Sequence, residues 1–481
     1  MPHGEVVRRH YNVTLGVLTF AGIAFALQQT MIIPALPTLQ RELNTSTTWV
    51  TWLLTGFLLS ASVATPLLGK LGDQYGKERL LVVSLGLFFL GSVGAAFAWD
   101  IGSLIACRML QGAGGAVFPL SFSIIKDEFP REKVSVGIGV VSAVFGVGGG
   151  LGLVLSGLIV DHLSWRWIFG VGAIAVGVAV VLVHLFVPES PVKTPSRVDV
   201  PGAVLLSTGL VALLLALSEG ERWGWTSAPI LGLFAASAVL LVAWVQVELR
   251  VAEPMVEMRM LANRPVLFAN LTGLIAGLAM FGTFVVVPQF VQLPGELPEG
   301  LARLVDFGFN ASATTTGLYL LPGALVGFFT GPLAGVLGRR LGAHVPMAIG
   351  VGLGGVGLAM LALWHDEPWQ LVTGMTVLGA GLPMSFASMA NVIVESVRQT
   401  ETGIATGMNT VMRTIGGVVG GQLVAAILTA DTIAGTSIPA ESAFTTAFAL
   451  GAAGSAVGVV VALFAAPRRE RAPLAAAGGP G

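Results

Sequence analysis

The chain has 481 residues, of which 54% are hydrophobic and 11% charged, with 25 basic and 26 acidic side chains, a net charge of −1 and a mean hydropathy of +0.84. Soluble domains devote about a quarter of their residues to charges, so water is excluded as the main solvent. The chain reads as an all-α polytopic membrane protein, and its near-zero charge without a long basic run argues against a nucleic-acid partner.

Apolar stretches long enough to span a bilayer, about 20 residues each, recur at 13–34, 49–69, 80–98, 101–125, 134–160, 165–187, 200–218, 227–248, 266–292, 313–337, 345–364, 369–394, 403–430 and 442–466. These are 14 predicted transmembrane helices. The first run, Val13 to Ile33, exceeds the apolar core of a cleavable signal and is not followed by a small-residue cleavage pattern, so it is read as the first span. With alternate loops on opposite sides, nineteen basic residues, among them Lys70, Lys77, Arg79, Lys126, Arg131, Arg339, Arg340 and Arg398, share one side, and only Arg41, Arg166, Arg222 and Arg303 share the other. The positive-inside preference places the nineteen, and both termini, in the cytoplasm of a plasma-membrane protein. Of the 10 tryptophans all but Trp244 fall at the opposite ends, where amphipathic rings settle at the interface.

An internal repeat orders these spans. Gly69, Gly72, Asp73 and Gly76 after the second span recur in spacing as Gly335, Gly338, Arg339 and Gly342 after the tenth. Gly139, Gly148, Gly149 and Gly152 of the fifth recur as Gly407, Gly416, Gly417 and Gly420 of the thirteenth. A duplicated six-span unit follows: a cytoplasmic N-terminus at 1–12, a six-helix half at 13–190, two inserted helices at 191–258, a second pseudo-symmetric half at 259–466 and a disordered tail at 467–481. Parallel halves with a site between them near the midplane are a transporter plan, working by alternating access.

Two segments carry a resemblance. GKLGDQYGKER resembles the loop signature between spans two and three of the major facilitator superfamily, and LIACRMLQGAGGA, with Arg108, Gln111 and Gly112, is similar to its fourth-span motif. With fourteen spans the nearest subgroup is the drug:proton antiporter family of that size. The resemblance implies export of hydrophobic or amphipathic small molecules, driven by protons. Gly69, Gly72 and Gly76 suit close helix approach and a tight turn, Asp73 suits a neighbouring helix N-terminus, and Lys77 and Arg79 suit the anionic leaflet, so the segment is read as a conformational latch. Arg339 stands where the repeat would place a second Asp73, so no symmetrical carboxylate latch is expected.

The chain departs from that family in two places. The fifth span keeps Gly148, Gly149, Gly152 and Gly157, suited to a close helix seam, but lacks the family's Gly-Pro bend. In the first span Gln28 stands where the resemblance implies a proton-carrying aspartate, and a glutamine cannot titrate. No acidic residue falls at a span's midpoint, so coupling would fall to Asp73, Asp161, Glu395 or a carboxylate nearer a midpoint than these span boundaries place it. Gln28, Gln29 and Asn270 either hydrogen-bond a neutral or cationic substrate or join helices by hydrogen bonds. Arg108, set inside the fourth span, is either functional or snorkels to the interface. Arg413, near Asn409 in the thirteenth, belongs either to the substrate pathway or to the inner interface. The amphipathic stretch near 293–312 is either a lid or lipid-contacting hairpin, or a surface loop.

Two function classes compete. Export of a multidrug type leads; an uncoupled or differently coupled carrier of a lipid or natural product is the alternative, favoured by Gln28. An enzyme is not expected, since no constellation of nucleophile, acid–base pair or metal cluster is found, and a nucleotide-driven pump is not expected without a phosphate loop. The lone Cys107 excludes an internal disulfide, and the six histidines lack metal-ligand spacing, so no metal or cofactor is expected. A monomer surrounded by lipid is the expected working form.

Overall fold

The computed structural model describes residues 11–192, 199–294, 297, 299–302, 304–436 and 438–466. The expected N-terminal segment up to residue 10, the stretch 193–198 and the expected disordered tail at 467–481 lie outside the described residues. Apart from an isolated antiparallel bridge between Thr432 and Pro439, the described chain is helix and loop.

We label the long helices α1 (Tyr11–Glu42), α2 (Thr47–Tyr75), α3 (Lys77–Ala96), α4 (Ile101–Glu128), α5 (Arg131–His162), α6 (Arg166–Phe186), α7 (Val200–Trp223), α8 (Ala228–Glu248), α9 (Arg264–Gln292), α10 (Ala313–Leu341), α11 (His344–Leu363), α12 (Pro368–Ser396), α13 (Thr402–Ala430) and α14 (Glu441–Leu463). Among the described residues, thirteen segments are long and apolar enough to cross a membrane, and α9 opens with a further apolar stretch, Arg264–Ala279, within its 29 residues. The protein is a multi-pass membrane protein with the expected fold class.

Local chemistry sets the helix starts. Ser46, Asp100, Asp199, Ser227 and Ser312 each accept a backbone N–H of the first turn, and Asp100 and Ser103 close a reciprocal capping box. The repeat motif sets two of the ends. Gly76 closes α2 at φ +127° with its N–H on Gly72 O at 3.1 Å, and Gly342 closes α10 at φ +86° with its N–H on Gly338 O at 2.8 Å. Glycine reaches such angles without steric cost, so the sharp turn is encoded twice. Within α4 the run Gly112–Ala116 tightens to a 3₁₀ turn against α2, where a Cβ on Gly115 would lie 2.4 Å from Thr65 Oγ1.

Helix pairing follows the repeat. α1 packs on α5 as α9 packs on α13, α2 on α4 as α10 on α12, and α3 on α6 as α11 on α14. The six-helix units are joined by α5 against α10 and α12, and by α2 and α4 against α13. The inserted α7 and α8 pack on each other, and α7 also leans on α2 and α13. Trp244, the tryptophan out of pattern, is buried in α8 and donates through Nε1 to Glu248 at 2.8 Å.

The α5–α10 seam is closed along its length. A Cβ on Gly139, Gly150 or Gly157 would meet Gly331 O at 2.4 Å, Ala324 Cβ at 2.9 Å or Thr314 Oγ1 at 2.8 Å. The α2–α13 seam repeats only one end of this, where Cβ atoms on Gly69 and Gly407 would meet Gly403 O at 2.7 Å and Pro66 Cα at 3.3 Å. That end carries the Lys70, Lys77 and Arg339 loops and is called the basic end below. Gly148 and Gly152 face α1 rather than the other half, meeting Ala26 and Thr30, as Gly416 and Gly420 face Leu274 and Leu278 of α9. Gly149 also faces Thr30. At the opposite end, the described part of 293–312 folds back on α9: Asn310 N donates to Leu293 O at 2.8 Å, and Phe307 and Phe309 pack on Phe290 at 6.0 and 5.8 Å. It is a packed surface loop.

Candidate functional site

At the basic end, charged groups of one half hold backbone of the other. The Asp73 carboxylate, 1% exposed, accepts the N–H of Gly403 at 3.0 Å and of Ile404 at 3.2 Å in the first turn of α13. These N–H groups have no helical acceptor of their own, and the positive end of the helix dipole favours an anion there. The approach depends on glycine at 403, since a Cβ would sit 3.0 Å from the carboxylate. Lys126, ending α4, donates to Val394 O at 2.6 Å and Val397 O at 2.8 Å, the negative end of α12. One half thus supplies an anion and a cation to complementary ends of the α12–α13 connection.

Between them Lys77, fully buried, pairs with Asp127, lies 3.8 Å from Asp73 and donates to Gln399 O at 3.3 Å. Ser190 also hydrogen-bonds Asp127. Gly72 admits Leu120 so closely that a Cβ would lie 2.3 Å from it. Arg79 meets Glu189 at 3.5 Å but stands 71% exposed, where such a pair contributes little. The repeat-related contact is of opposite charge: Arg339 Nη1 donates to Glu132 O at 2.9 Å. The sequence marked Lys126 only as one of the basic residues of that side, and did not single out Asp127, Ser190 or Gln399.

A second polar system is buried within the N-terminal half. Arg108 Nη1 donates to Gln111 Oε1 at 2.7 Å, Gln111 Nε2 to Ser92 Oγ at 2.9 Å, and the Ser92 hydroxyl lies 3.0 Å from Gln28 Oε1 and 2.7 Å from Phe88 O. Arg108 Nε donates to Leu53 O at 3.1 Å, and its guanidinium lies 4.6 Å above the Phe57 ring. No carboxylate enters this chain of contacts. Arg108 Nη2 and Gln28 Nε2 are buried without a hydrogen-bond partner. Gln28 therefore joins helices behind the cavity wall, and Ser92 is a member the sequence reading missed.

Between the halves, above the basic end, lies a partly open cavity lined by Phe25, Gln29, Phe57, Phe118, Phe386 and Arg413, with Ser62, Thr65, Thr410 and Thr414 among its polar walls. A smaller recess adds Ser142 and Asn409. Arg413 Nη2 donates to Thr410 Oγ1 at 3.1 Å, and its guanidinium lies 4.4 Å over Phe386. Asn409 donates to Asn270 Oδ1 at 3.1 Å and Ala269 O at 3.2 Å, fixing α13 to α9, so Asn270 is an interhelical acceptor. Of the acidic candidates, Asp73 lies at the basic end, Asp161 at the far end of α5 takes Thr314 Oγ1 at 3.3 Å, and Glu395 lies beside Ser135. None lines the cavity.

Two repeated six-helix units, a cavity between them and a charged closure on one side define a membrane carrier of the two-half type. The Major Facilitator Superfamily model matches residues 18–421 and again 309–480, and the chain belongs to that family. It is 29% identical over 383 residues to the multidrug transporter protein MdtP of Bacillus subtilis, covering 79% of this chain and 68% of that one. It is 25% identical over 397 residues to the tetracenomycin C resistance and export protein of Streptomyces glaucescens, covering 82% and 71%. The chain spans 56% to 71% of the length of the curated relatives it matches. The crystal structure of the human organic anion transporter MFSD10 superposes with a TM-score of 0.66 at 14% identity, over 94% of this chain and 100% of that chain, a likeness of fold.

Proposed function

We propose that the protein exports hydrophobic or amphipathic small molecules across the plasma membrane by alternating access, as a monomer with both termini and the basic end in the cytoplasm. The single observation that carries this reading is the aromatic cavity between the halves, closed on the basic side by Asp73 and Lys126 on the α12–α13 connection. Gly69, Gly72, Asp73, Gly76 and Lys77 act as a latch; releasing the Gly403 and Ile404 N–H groups frees α13 to move from α2 and opens the cavity to the cytoplasm. The printed names of the multidrug and tetracenomycin relatives support efflux. Coupling to protons runs through Asp73 in this reading, because a protonated carboxyl is a weaker acceptor for the α13 N-terminus.

The second reading is an uncoupled or differently coupled carrier of a lipid or natural product. Gln28 in place of a titratable residue, and the lack of an acid on the described cavity wall, favour it. The test is efflux of a panel of amphipathic dyes from efflux-deficient bacteria, with and without a protonophore, beside Asp73→Asn. Extrusion that stops with the protonophore and with Asp73→Asn supports the coupled exporter. Extrusion insensitive to the protonophore supports the second reading, and no extrusion by protein shown to be in the membrane discards export of this class.

A further inference from the structure

We propose that the cavity between the halves recognises an anionic amphipathic molecule, a carboxylate or comparable oxyanion on an apolar body, with Arg413 as its anchor. This deepens the exporter reading and rests on it for transport, though not for binding.

The argument starts from the charge inventory. Every acidic residue in a described long helix lies within its first or last two turns, whereas Arg108 and Arg413 lie deeper. Among the described residues, the middle turns of the long helices thus hold two arginines and no acid. Arg108 is fully buried inside the N-terminal half behind Phe57, with Gln111 and Leu53 O as acceptors and Nη2 unpartnered, and does not line the cavity. Arg413 faces the cavity.

The Arg413 side chain is incompletely satisfied. Thr410 takes one N–H, Phe386 covers one face, and Nε is buried with no hydrogen-bond partner. Gln29 Oε1 and Thr65 Oγ1 of the walls, and Ser142 Oγ of the adjoining recess, are likewise buried and unpartnered. Buried polar atoms left unpaired are costly, and their convergence on one cavity marks where a polar ligand group completes them. Stacking on Phe386 does not by itself account for a guanidinium here, because a methionine would fill the same space without placing a charge in a low-dielectric site. A planar guanidinium offers two parallel N–H donors, which match an oxyanion and no cation. Phe25, Phe57, Phe118 and Phe386 supply the surface for the apolar body. A cationic amphiphile would bring a like charge next to Arg413 with no described acid on the wall to offset it, so the site selects against it.

The test uses the purified full chain in lipid nanodiscs, with fluorescence titration of fluorescein as the anion, Nile red as the neutral probe and ethidium as the cation, followed by release of each dye from loaded proteoliposomes. The unmodified protein is expected to bind fluorescein at least about tenfold more tightly than ethidium. Arg413→Gln is expected to lower the fluorescein affinity, taken relative to Nile red, by about tenfold or more, as loss of a charge-assisted hydrogen bond implies. Arg413→Lys, which keeps the charge without the fork, should lose less. Equal binding of ethidium and fluorescein by the unmodified protein, which needs no variant to fold, overturns the proposal. So does an unchanged fluorescein to Nile red ratio in folded Arg413→Gln. If fluorescein binds through Arg413 yet none of the three dyes crosses the proteoliposome membrane, anion recognition stands and the exporter reading falls.

Discussion

The Asp73 carboxylate accepts the backbone N–H of Gly403, a residue 330 positions later in the chain, and that contact ties α2 of one half to the first turn of α13 in the other. Its energy comes from pairing an anion with orphan N–H donors at a helix N-terminus. An asparagine at 73 keeps an acceptor oxygen but loses the charge, and hydrogen bonds to charged groups contribute about 1.5–3 kcal/mol against about 1 for neutral ones. Asp73→Asn should therefore populate a state open at the basic end. Spin labels at the exposed positions Arg79 and Arg340, one in each half, read this by double electron–electron resonance. The unmodified distance distribution should be narrow, and the variant should add a longer component; an unchanged distribution would remove Asp73 from the latch.

Glycine seams give a steric prediction with internal controls. A Cβ on Gly139 would lie 2.4 Å from Gly331 O, and one on Gly335 2.4 Å from Ser135 O, backbone atoms that cannot yield without separating α5 from α10. Gly16 and Gly86 have nothing within 4 Å of the same construction. Gly139→Ala and Gly335→Ala should each destabilise by about 1–3 kcal/mol through overpacking, whereas Gly86→Ala should gain about 0.5–1 kcal/mol from lower chain entropy in a helix. Thermal unfolding in detergent, followed by the emission of the native tryptophans, separates the two groups.

How much of this was legible follows from which signals are local. Spacing along the chain marks Gly69 to Gly76 and their echoes at Gly335 to Gly342, so the repeat and the turns it encodes were readable. Apolar length marked the spans, although α1 runs to Glu42 and α2 to Tyr75, past the apolar stretches, because polar residues at helix ends face neighbouring helix termini or solvent. The partners across the basic end were not readable, since nothing in the neighbourhood of Lys126 announces the Val394 and Val397 carbonyls, 268 and 271 residues away. Rotational setting was the other missing quantity. Gln28 and Gln29 are adjacent and alike in type, yet a turn of about 100° sends one to Ser92 behind the wall and the other to the cavity.

Arg108 is held by neutral acceptors alone, so its charge is retained at a cost. Insertion scales put that cost at about 2.5–3.5 kcal/mol for a central arginine, and replacing a buried charge by an apolar side chain is often neutral or stabilising. Arg108→Met should leave the melting temperature equal or higher while reducing dye transport at least about tenfold, since the chain through Gln111 and Ser92 to Gln28 loses its terminal donor and α4 loses its hold on Leu53 of α2. A variant that is both less stable and fully active would assign Arg108 a packing role instead.

The two clamps on the α12–α13 connection make the last prediction one of coupling. Asp73 holds the start of α13 and Lys126 the end of α12, and the residues they hold, Val394 to Ile404, form one short segment. If this segment moves as a unit, releasing either clamp already gives up most of what holding it achieves, and the second release adds little. Lys126→Met should by itself lengthen the Arg79 to Arg340 distance, as Asp73→Asn does. The double variant should then fall short of the sum of the single effects by about 0.5–3 kcal/mol in the open-to-closed free energy, the range seen for residues acting on one element. Independent clamps on separately moving helices would give additive effects within about 0.5 kcal/mol, so the same spin-label measurement on four proteins decides whether α12 and α13 open together.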